Sequence, residues 1–340
     1  MKRIPRISVI MSVYKEPVEW MKQAIDSILA QTFNDFEFII VNDCPDREEN
    51  KQVLTEYEQN DSRIVIINNI ENIGLTKSLN KALSIARGDI IARMDADDIS
   101  LPKRFETQLK YLDNHPGVCG VGSWTISINE DGEQIGSVGK YESDPRWVRA
   151  QFLQNSQVAH PAAMFRKKVK DHVVRYDESV KYAQDYSLWV SILPFGEITN
   201  IPEVLFHYRI NGQQITSSKK EEQQLCAGVA QRKTFTLFGF PLNESFLKLF
   251  FSMTIKHDME ILKDNVSSAF CGFYKEVKKT KANSLALEII YSTYLAYFRK
   301  NNKSKIAFLS DVISHSSFSM LLIGCKLFFH LLQRKVKSLF

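Results

Sequence analysis

The sequence predicts an α/β fold: a mainly parallel sheet flanked by helices, followed by a helical C-terminal region. Three observations carry this. Apolar runs alternate with helical periodicity four times over residues 7–98, the runs end in polar residues, and the composition changes in kind after residue 217. Alternation of strand and helix argues for parallel strands covered on both faces, and ligands of such sheets bind at the carboxyl ends of the strands.

The elements follow in order. Ile7-Ser-Val-Ile-Met-Ser-Val13 reads as a buried strand, and Pro17 opens a helix with Val18, Met21, Ala24, Ile25, Ile28 and Leu29 on one stripe. Phe36-Glu-Phe-Ile-Ile-Val41 is the second strand and runs into Asn42-Asp43. Ile64-Val-Ile-Ile67 is the third and runs into Asn68-Asn69. After Gly74 comes a helix carrying Leu75, Leu79, Ala82, Leu83 and Ala86, with Gly88 expected to close it at its C-terminus.

The fourth run delivers Asp95, Asp97 and Asp98 where a strand should end. Extended backbone would put Asp95 and Asp97 on one side and Asp98 on the other. Carboxylates so close repel unless a cation lies between them, and hard oxygen ligands suit Mg²⁺ or Mn²⁺ better than Zn²⁺. The alternative is an acidic turn before the next helix, with Ser100 and Pro102 as start signals.

The first strand-to-helix turn, Ser12-Val-Tyr-Lys-Glu-Pro17, lacks glycine, and the chain contains neither GxGxxG nor GxxxxGK[ST]. That argues against a dinucleotide fold, a P-loop and a sugar-phosphate nucleotidyltransferase, each of which needs backbone amides close to phosphate. A nucleoside diphosphate held through a carboxylate-bound cation, its base and ribose met by Asp43 and neighbours, fits what remains.

At this point the motifs become specific. Ser-Val-Tyr-Lys-Glu-Pro at 12–17, Val-Asn-Asp at 41–43, Glu-Asn-Ile-Gly-Leu-Thr-Lys-Ser-Leu-Asn at 71–80, Ala-Arg-Met-Asp-Ala-Asp-Asp at 92–98 and Ala-Gln-Asp-Tyr-Ser-Leu-Trp at 183–189 occur in one order. Together they resemble family 2 inverting glycosyltransferases, over residues 5–217, in particular bacterial enzymes that build exopolysaccharide, capsule or O-antigen repeat units. The resemblance implies a GT-A fold. It assigns Asp43 to the donor base, Asp95 to the ribose or diphosphate side, and Asp97 to the metal as principal ligand, beside Asp95. Val13, Tyr14, Glu16, Asn72, Lys77, Arg93 and Ala96 are implied on the donor side as well. Asp185 matches the family's catalytic base, although a helix N-cap would also suit it there. Gln184, Trp189 and His160 are implied on the acceptor side, and His160 would equally serve as a structural histidine.

Two departures stand out. Asn42-Asp43 occupies a place where the family usually has two acids, and the following Gly-Ser is replaced by Cys44-Pro45. Many members carry a histidine just after a Tyr-Arg pair, whereas Tyr208-Arg209 is followed by Ile210-Asn211 and preceded by His207. His207 is therefore a candidate metal ligand or a strand side chain. Arg209 is a candidate diphosphate contact or a surface ion-pair partner.

Charge divides the chain. Residues 218–340 hold 19 Lys and Arg against 9 Asp and Glu, whereas residues 1–217 hold 25 against 30. The expected domains are thus a catalytic one at 1–217 and a basic, helical one at 218–340. Basic residues interleaved with aromatics, as in Phe246-Leu-Lys-Leu-Phe-Phe251, suit an anionic membrane surface. Nucleic acid is not expected, because no motif for it is present. The stretch 318–332 is interrupted by Lys326 and is too short for a comfortable span. It suits an interfacial helix, a homo-oligomer contact or ordinary core packing. Five scattered cysteines without CxxC spacing, and an N-terminus leading straight into the first strand, point to the cytoplasm. The expected protein is a metal-dependent (Mn²⁺ or Mg²⁺) transferase peripheral on the inner face of the cytoplasmic membrane, moving sugar from a nucleotide donor, a UDP-sugar first, to a saccharide or lipid-linked saccharide. A catalytically silent sugar-nucleotide or glycan-binding module is the contrasting reading, against which Asp95, Asp97 and Asp185 argue.

Overall fold

The computed structural model describes residues 3–211 and 220–256, with residues 273, 276, 277, 290 and 293. The linker at 212–219, the stretch 318–332 and most of 291–300 lie outside the described residues. Two compact units are present: Met1–Arg149 with Ser156–Cys226, and Ala150–Asn155 with Ala227–Phe340.

The first unit begins β1 (Ile7–Val13), α1 (Val18–Leu29), β2 (Phe36–Asn42), α2 (Glu48–Asn60), β3 (Ile64–Asn68), α3 (Leu75–Ile85) and β4 (Ile90–Asp95), as the apolar periodicity predicts. It continues with β5 (Ile99–Ser100), α4 (Arg104–Asn114), β6 (Val118–Ile128), α5 (Pro145–Gln151), β7 (Met164–Arg166), β8 (Lys168–Val169), β9 (His172–Val173), α6 (Gln184–Ile192) and β10 (Glu197–Arg209). One sheet of eight strands has the order β3-β2-β1-β4-β7-β6-β10-β5. Its first four strands are parallel; β7 runs antiparallel to both β4 and β6, and β5 antiparallel to β10. This is the mixed, mainly parallel sheet with flanking helices that the sequence implied.

Burial on both faces explains why the strands are apolar at nearly every position. Val9 and Met11 of β1, Phe38 and Ile40 of β2, and Ala92 and Met94 of β4 join Met21, Ala24, Ile25 and Ile28 of α1 and Phe105 and Leu109 of α4 in one core cluster. The opposite face carries Ile10, Ile39 and Ile91, all buried, with α3 packed against β1 and β2. Each such large side chain contributes about 1.5–3 kcal/mol of burial.

Gly88 does not cap the preceding helix as expected. That helix ends at Ile85 with Ala86 as its cap, and Gly88 is glycine because a Cβ there would lie 2.8 Å from the backbone nitrogen of Ser8. A positive φ, 84°, is found instead at Gly74, on the N-terminal side of α3.

Of α7 (Lys220–Leu237), the part from Ala227 onward belongs to the second unit, where it and α8 (Glu244–Phe251) present a phenylalanine core. Phe235 meets Phe250 edge-on at 5.4 Å, and Phe246 stacks on Phe273 at 3.8 Å. Asn243 caps α8 by accepting from Phe246 N at 3.0 Å. Among the described residues no helix is long and apolar enough to cross a membrane.

Candidate active site at the carboxyl edge of the sheet

Register places the site. Val13 at the end of β1 lies opposite Asn42, and Ser12 lies opposite Asp95, so Asp43 and Asp95 flank the same strand terminus. Asp43 N donates to Val13 O at 2.8 Å. Its buried carboxylate accepts from Asn69 Nδ2 (2.7 Å), Ile73 N (2.9 Å) and Gly74 N (2.8 Å). Gly74 can aim its N–H there because of its positive φ. Asn72 Nδ2 donates to Asp43 O, and Lys77 is exposed on α3. Asp43 thus ties the end of β2 to the loop that starts α3, at the carboxyl edge of the sheet.

The acidic run forms a turn. β4 stops at Asp95, so the strict alternation expected through Asp98 ends too, and all three carboxylates bring ligand atoms within 4.8 Å of one another. Ala96 is buried beneath the turn. Burial, then Asp95 and Glu16, push Asp97 up to about 7. Burial, then Asp97 and Asp95, hold Asp98 well above the ordinary carboxylate range. Burial also raises Glu16, which accepts from Tyr14 N at 2.7 Å. Carboxylates this poorly tolerated as anions want a cation.

β10 holds the turn in place. Arg209 N donates to Asp98 Oδ1 at 2.7 Å, while the Arg209 guanidinium donates to Asp97 O (2.7 Å), Asn129 O (3.0 Å), Glu130 O (2.7 Å) and Gln23 Oε1 (2.7 Å). Neither expectation for Arg209 describes this: it is buried, and its donors are turned onto three backbone carbonyls and the Gln23 amide oxygen rather than toward solvent or a phosphate. Asn211 Nδ2 donates to Asp97 Oδ2 at 3.1 Å. His207 pairs with Ile99 and Ile126 within the sheet and is not among the residues gathered at the cluster. Asp98, not His207, completes the acidic cluster.

Behind the turn lie two buried arginines. Arg104 Nη2 donates to Arg93 O (2.7 Å) and Ala163 O (3.0 Å), and burial, with Arg93 nearby, pushes Arg104 down to about 9. Arg93 forms an ion pair with Asp95. Its charge also acts on Asp97, Asp98, Asp185, His160 and Tyr176.

Asp185 is the second residue of α6, behind Gln184. The N-cap is Ala183, without a side-chain cap bond, so the capping alternative for Asp185 does not hold. Burial raises the Asp185 carboxyl; hydrogen bonds from Tyr186 N and Ser156 and the charge of Arg93 draw it partly back. Trp189 departs from its expected acceptor-side place. It is fully buried, edge-on to Phe165 at 5.8 Å and against Gly120, as a core side chain. His160 is buried too, with Nε2 2.7 Å from Tyr176 Oη, and burial and Arg93 hold it well below the usual histidine range. Tyr176 is in turn pinned by Asn80, whose Oδ1 accepts from Tyr176 N (2.9 Å) and whose Nδ2 donates to Tyr176 O (3.0 Å). Sequence reasoning missed Tyr176, Asn69 and Ser156; only Asn69, as the polar end of a strand, carried a visible signal.

This arrangement belongs to a known class. Residues 8–173 match the family model described as Glycosyl transferase family 2. An uncharacterized glycosyltransferase of Methanocaldococcus jannaschii is 36% identical over 222 residues, 65% of this chain and 76% of the relative. Amylovoran biosynthesis glycosyltransferase AmsE of Erwinia amylovora is 34% identical over 64% of this chain and 83% of its own, and O-antigen biosynthesis glycosyltransferase WbnJ of Escherichia coli 37% over 62% and 82%. Among solved structures, S. aureus TarS 1-349 superposes with a TM-score of 0.52 at 16% identity, covering 87% of this chain and 92% of that one. Mannosyltransferase PcManGT from Pyrobaculum calidifontis, in complex with GDP-Man and Mn2+, gives 0.53 at 14%, covering 92% and 88%. The fold is GT-A. The chain belongs to glycosyl transferase family 2 and is a glycosyltransferase.

Proposed function

We propose that this protein moves a sugar from a nucleoside-diphosphate donor to a saccharide hydroxyl, with inversion, during assembly of a bacterial surface polysaccharide. The observation that carries the reading is the acidic cluster of Asp95, Asp97 and Asp98 at the carboxyl edge, with a half-buried carboxylate, Asp185, on another element within the field of Arg93. AmsE and WbnJ, named for amylovoran and O-antigen biosynthesis, support the polysaccharide setting.

The cluster fits a divalent cation: its donors are hard oxygens, Asp98 Oδ2 is buried without a hydrogen-bond partner among the described residues, and Asp97 carries charge it poorly tolerates. Asp97, Asp95 and Asp98 would hold Mn²⁺ or Mg²⁺, which supplies stabilisation of charge on the departing diphosphate. Asp43, Asn72 and the loop before α3 bound the place for base and ribose, with UDP the first candidate; Tyr14, Glu16 and Lys77 line the donor side, while the Val13 and Ala96 side chains lie in the core. Asp185 takes the proton from the acceptor hydroxyl at its carboxylate as that oxygen attacks the anomeric carbon. His160 and Gln184 border the acceptor. Arg209 shapes the acidic turn, in place of the phosphate contact first expected, and His207 stays a strand residue. The basic segment 218–340 is the part we assign to an anionic membrane surface and a lipid-linked acceptor.

The test is a screen of nucleotide sugars for hydrolysis and transfer with Mn²⁺, Mg²⁺ or EDTA, reading the anomeric configuration of product by NMR. Metal-dependent turnover of one donor with inverted product is expected. Retained configuration, or turnover indifferent to EDTA, would overturn the mechanism.

A further inference from the structure

Arg93 is 2% exposed, and its Nη2 is engaged in the ion pair with Asp95. Its Nε and Nη1 have no hydrogen-bond partner among the described residues. A buried donor left unpaired is destabilising, and more so when charged, so an arginine kept in this state within a site asks for a ligand.

Position says which part of a substrate could supply it. Along β4, Ala92 and Met94 enter the apolar core, so Arg93 and Asp95 share the opposite face. The Arg93 head therefore stands directly behind the carboxylate cluster. Its charge also reaches His160 and Asp185, which come from other elements bordering the site. A group touching Arg93 would lie between the leaving-group side and the base, where the transferred sugar ring must sit.

The surrounding charge decides the chemistry of that group. Asp95, Asp97, Asp98, Glu16 and Asp185 stand around the site against Arg93, Arg104 and Arg209, and the charge that a divalent cation adds on the positive side is offset by the donor's own diphosphate. A carboxylate on the sugar would add to this excess of negative charge, whereas a hydroxyl oxygen accepts an N–H without adding any. We propose that Nε and Nη1 of Arg93 are specificity contacts for hydroxyl oxygens of an uncharged donor sugar. The inference rests on the nucleotide-sugar reading above and narrows its substrate class.

Calorimetry on the full chain with MnCl₂ tests it, using UDP and GDP alone and UDP-glucose, UDP-galactose, UDP-N-acetylglucosamine, UDP-glucuronate, GDP-mannose and deoxy forms of the preferred donor. Arg93→Lys keeps a cation beside Asp95 and removes the planar donors. Read as the ratio of nucleotide-sugar affinity to bare-nucleotide affinity within each protein, the gain conferred by the sugar should fall roughly tenfold or more in this variant. In wild-type protein one deoxy donor should lose a similar factor, and that loss should vanish in Arg93→Lys, as coupled partners require. An undiminished sugar gain in the variant, no sugar gain in wild type, or tightest binding of UDP-glucuronate would overturn the inference while leaving the transferase reading intact. Should Arg93→Lys fail to fold, the deoxy series on wild-type protein decides alone: uniform affinity across it overturns the proposal. Failure of every nucleotide to bind wild type would instead overturn the donor reading itself.

Discussion

At the scale of single residues, Asp185 and Asp97 sit in environments that raise both carboxyls, yet the consequences differ. A base at Asp185, as proposed, would work only when ionised, so its elevated pKa should move the acid limb of kcat/KM to higher pH than an ordinary aspartate would give, with activity falling as pH drops through that limb. Asp185→Asn keeps the shape but cannot take a proton at neutral pH. Transfer should fall about 10²-fold or more, the usual scale for a general base. A folded-state pKa raised above the unfolded one means that ionisation opposes folding at neutral pH, so the amide should leave the melting temperature unchanged or higher. Near-normal transfer by the variant would remove the assignment. For Asp97, pushed up to about 7 without a cation, metal binding must displace a proton below that pH. Calorimetric titration of Mn²⁺ with nucleotide at pH 6, in buffers of different ionisation enthalpy, should show proton release and weaker affinity than at pH 8. Asp97→Ala should abolish both effects and keep the fold; unchanged affinity with and without EDTA would refute the ligand role.

At the scale of elements, the site is made where strands stop, and glycine shows how narrowly. Gly74 has positive φ with nothing within 4 Å of a would-be Cβ, so Gly74→Ala tests backbone strain alone. The loss expected is about 1–2 kcal/mol of stability, together with weaker nucleotide binding as Gly74 N withdraws from Asp43. Gly88→Ala meets the backbone of β1 instead and should destabilise with no effect on nucleotide affinity per folded molecule; chemical denaturation beside calorimetry separates the two. Sequence alone does not distinguish these glycines, since a close approach and a left-handed turn leave the same letter. The parallel strands were legible because burial on both faces writes continuous apolar runs, and Asp43, Asp95 and Asp97 because they follow such runs directly. β5 and β7 were not, being two and three residues long, too short for a period. Nor were the Asn80 clamp on Tyr176, made across 96 positions, or the inward turn of Arg209, which depends on carbonyls of a distant loop. The collapse of Asp98 onto Asp95 and Asp97 depends on where β4 ends, which alternation does not specify.

At the scale of the whole molecule, the charge division is the property that the site does not explain. Residues 1–217 are net acidic, with 25 basic against 30 acidic side chains, while residues 218–340 carry 19 against 9. A donor-binding site needs neither imbalance, but a transferase whose acceptor sits on a lipid gains from a basic region that brings it to an anionic surface. Each Lys or Arg near such a surface contributes about 1 kcal/mol, screened over a Debye length of about 8 Å at physiological ionic strength. The protein should therefore co-sediment with phosphatidylglycerol vesicles and not with phosphatidylcholine vesicles, and should be released as salt rises. Deleting residues 316–340 removes four basic side chains, Lys326, Arg334, Lys335 and Lys337, along with the apolar stretch around them. Vesicle binding should drop by roughly an order of magnitude or more, with turnover of a soluble donor unchanged. Equal partitioning of the full-length and shortened chains would assign the C-terminus to packing or self-association, which sedimentation velocity would then register as a change in oligomeric state.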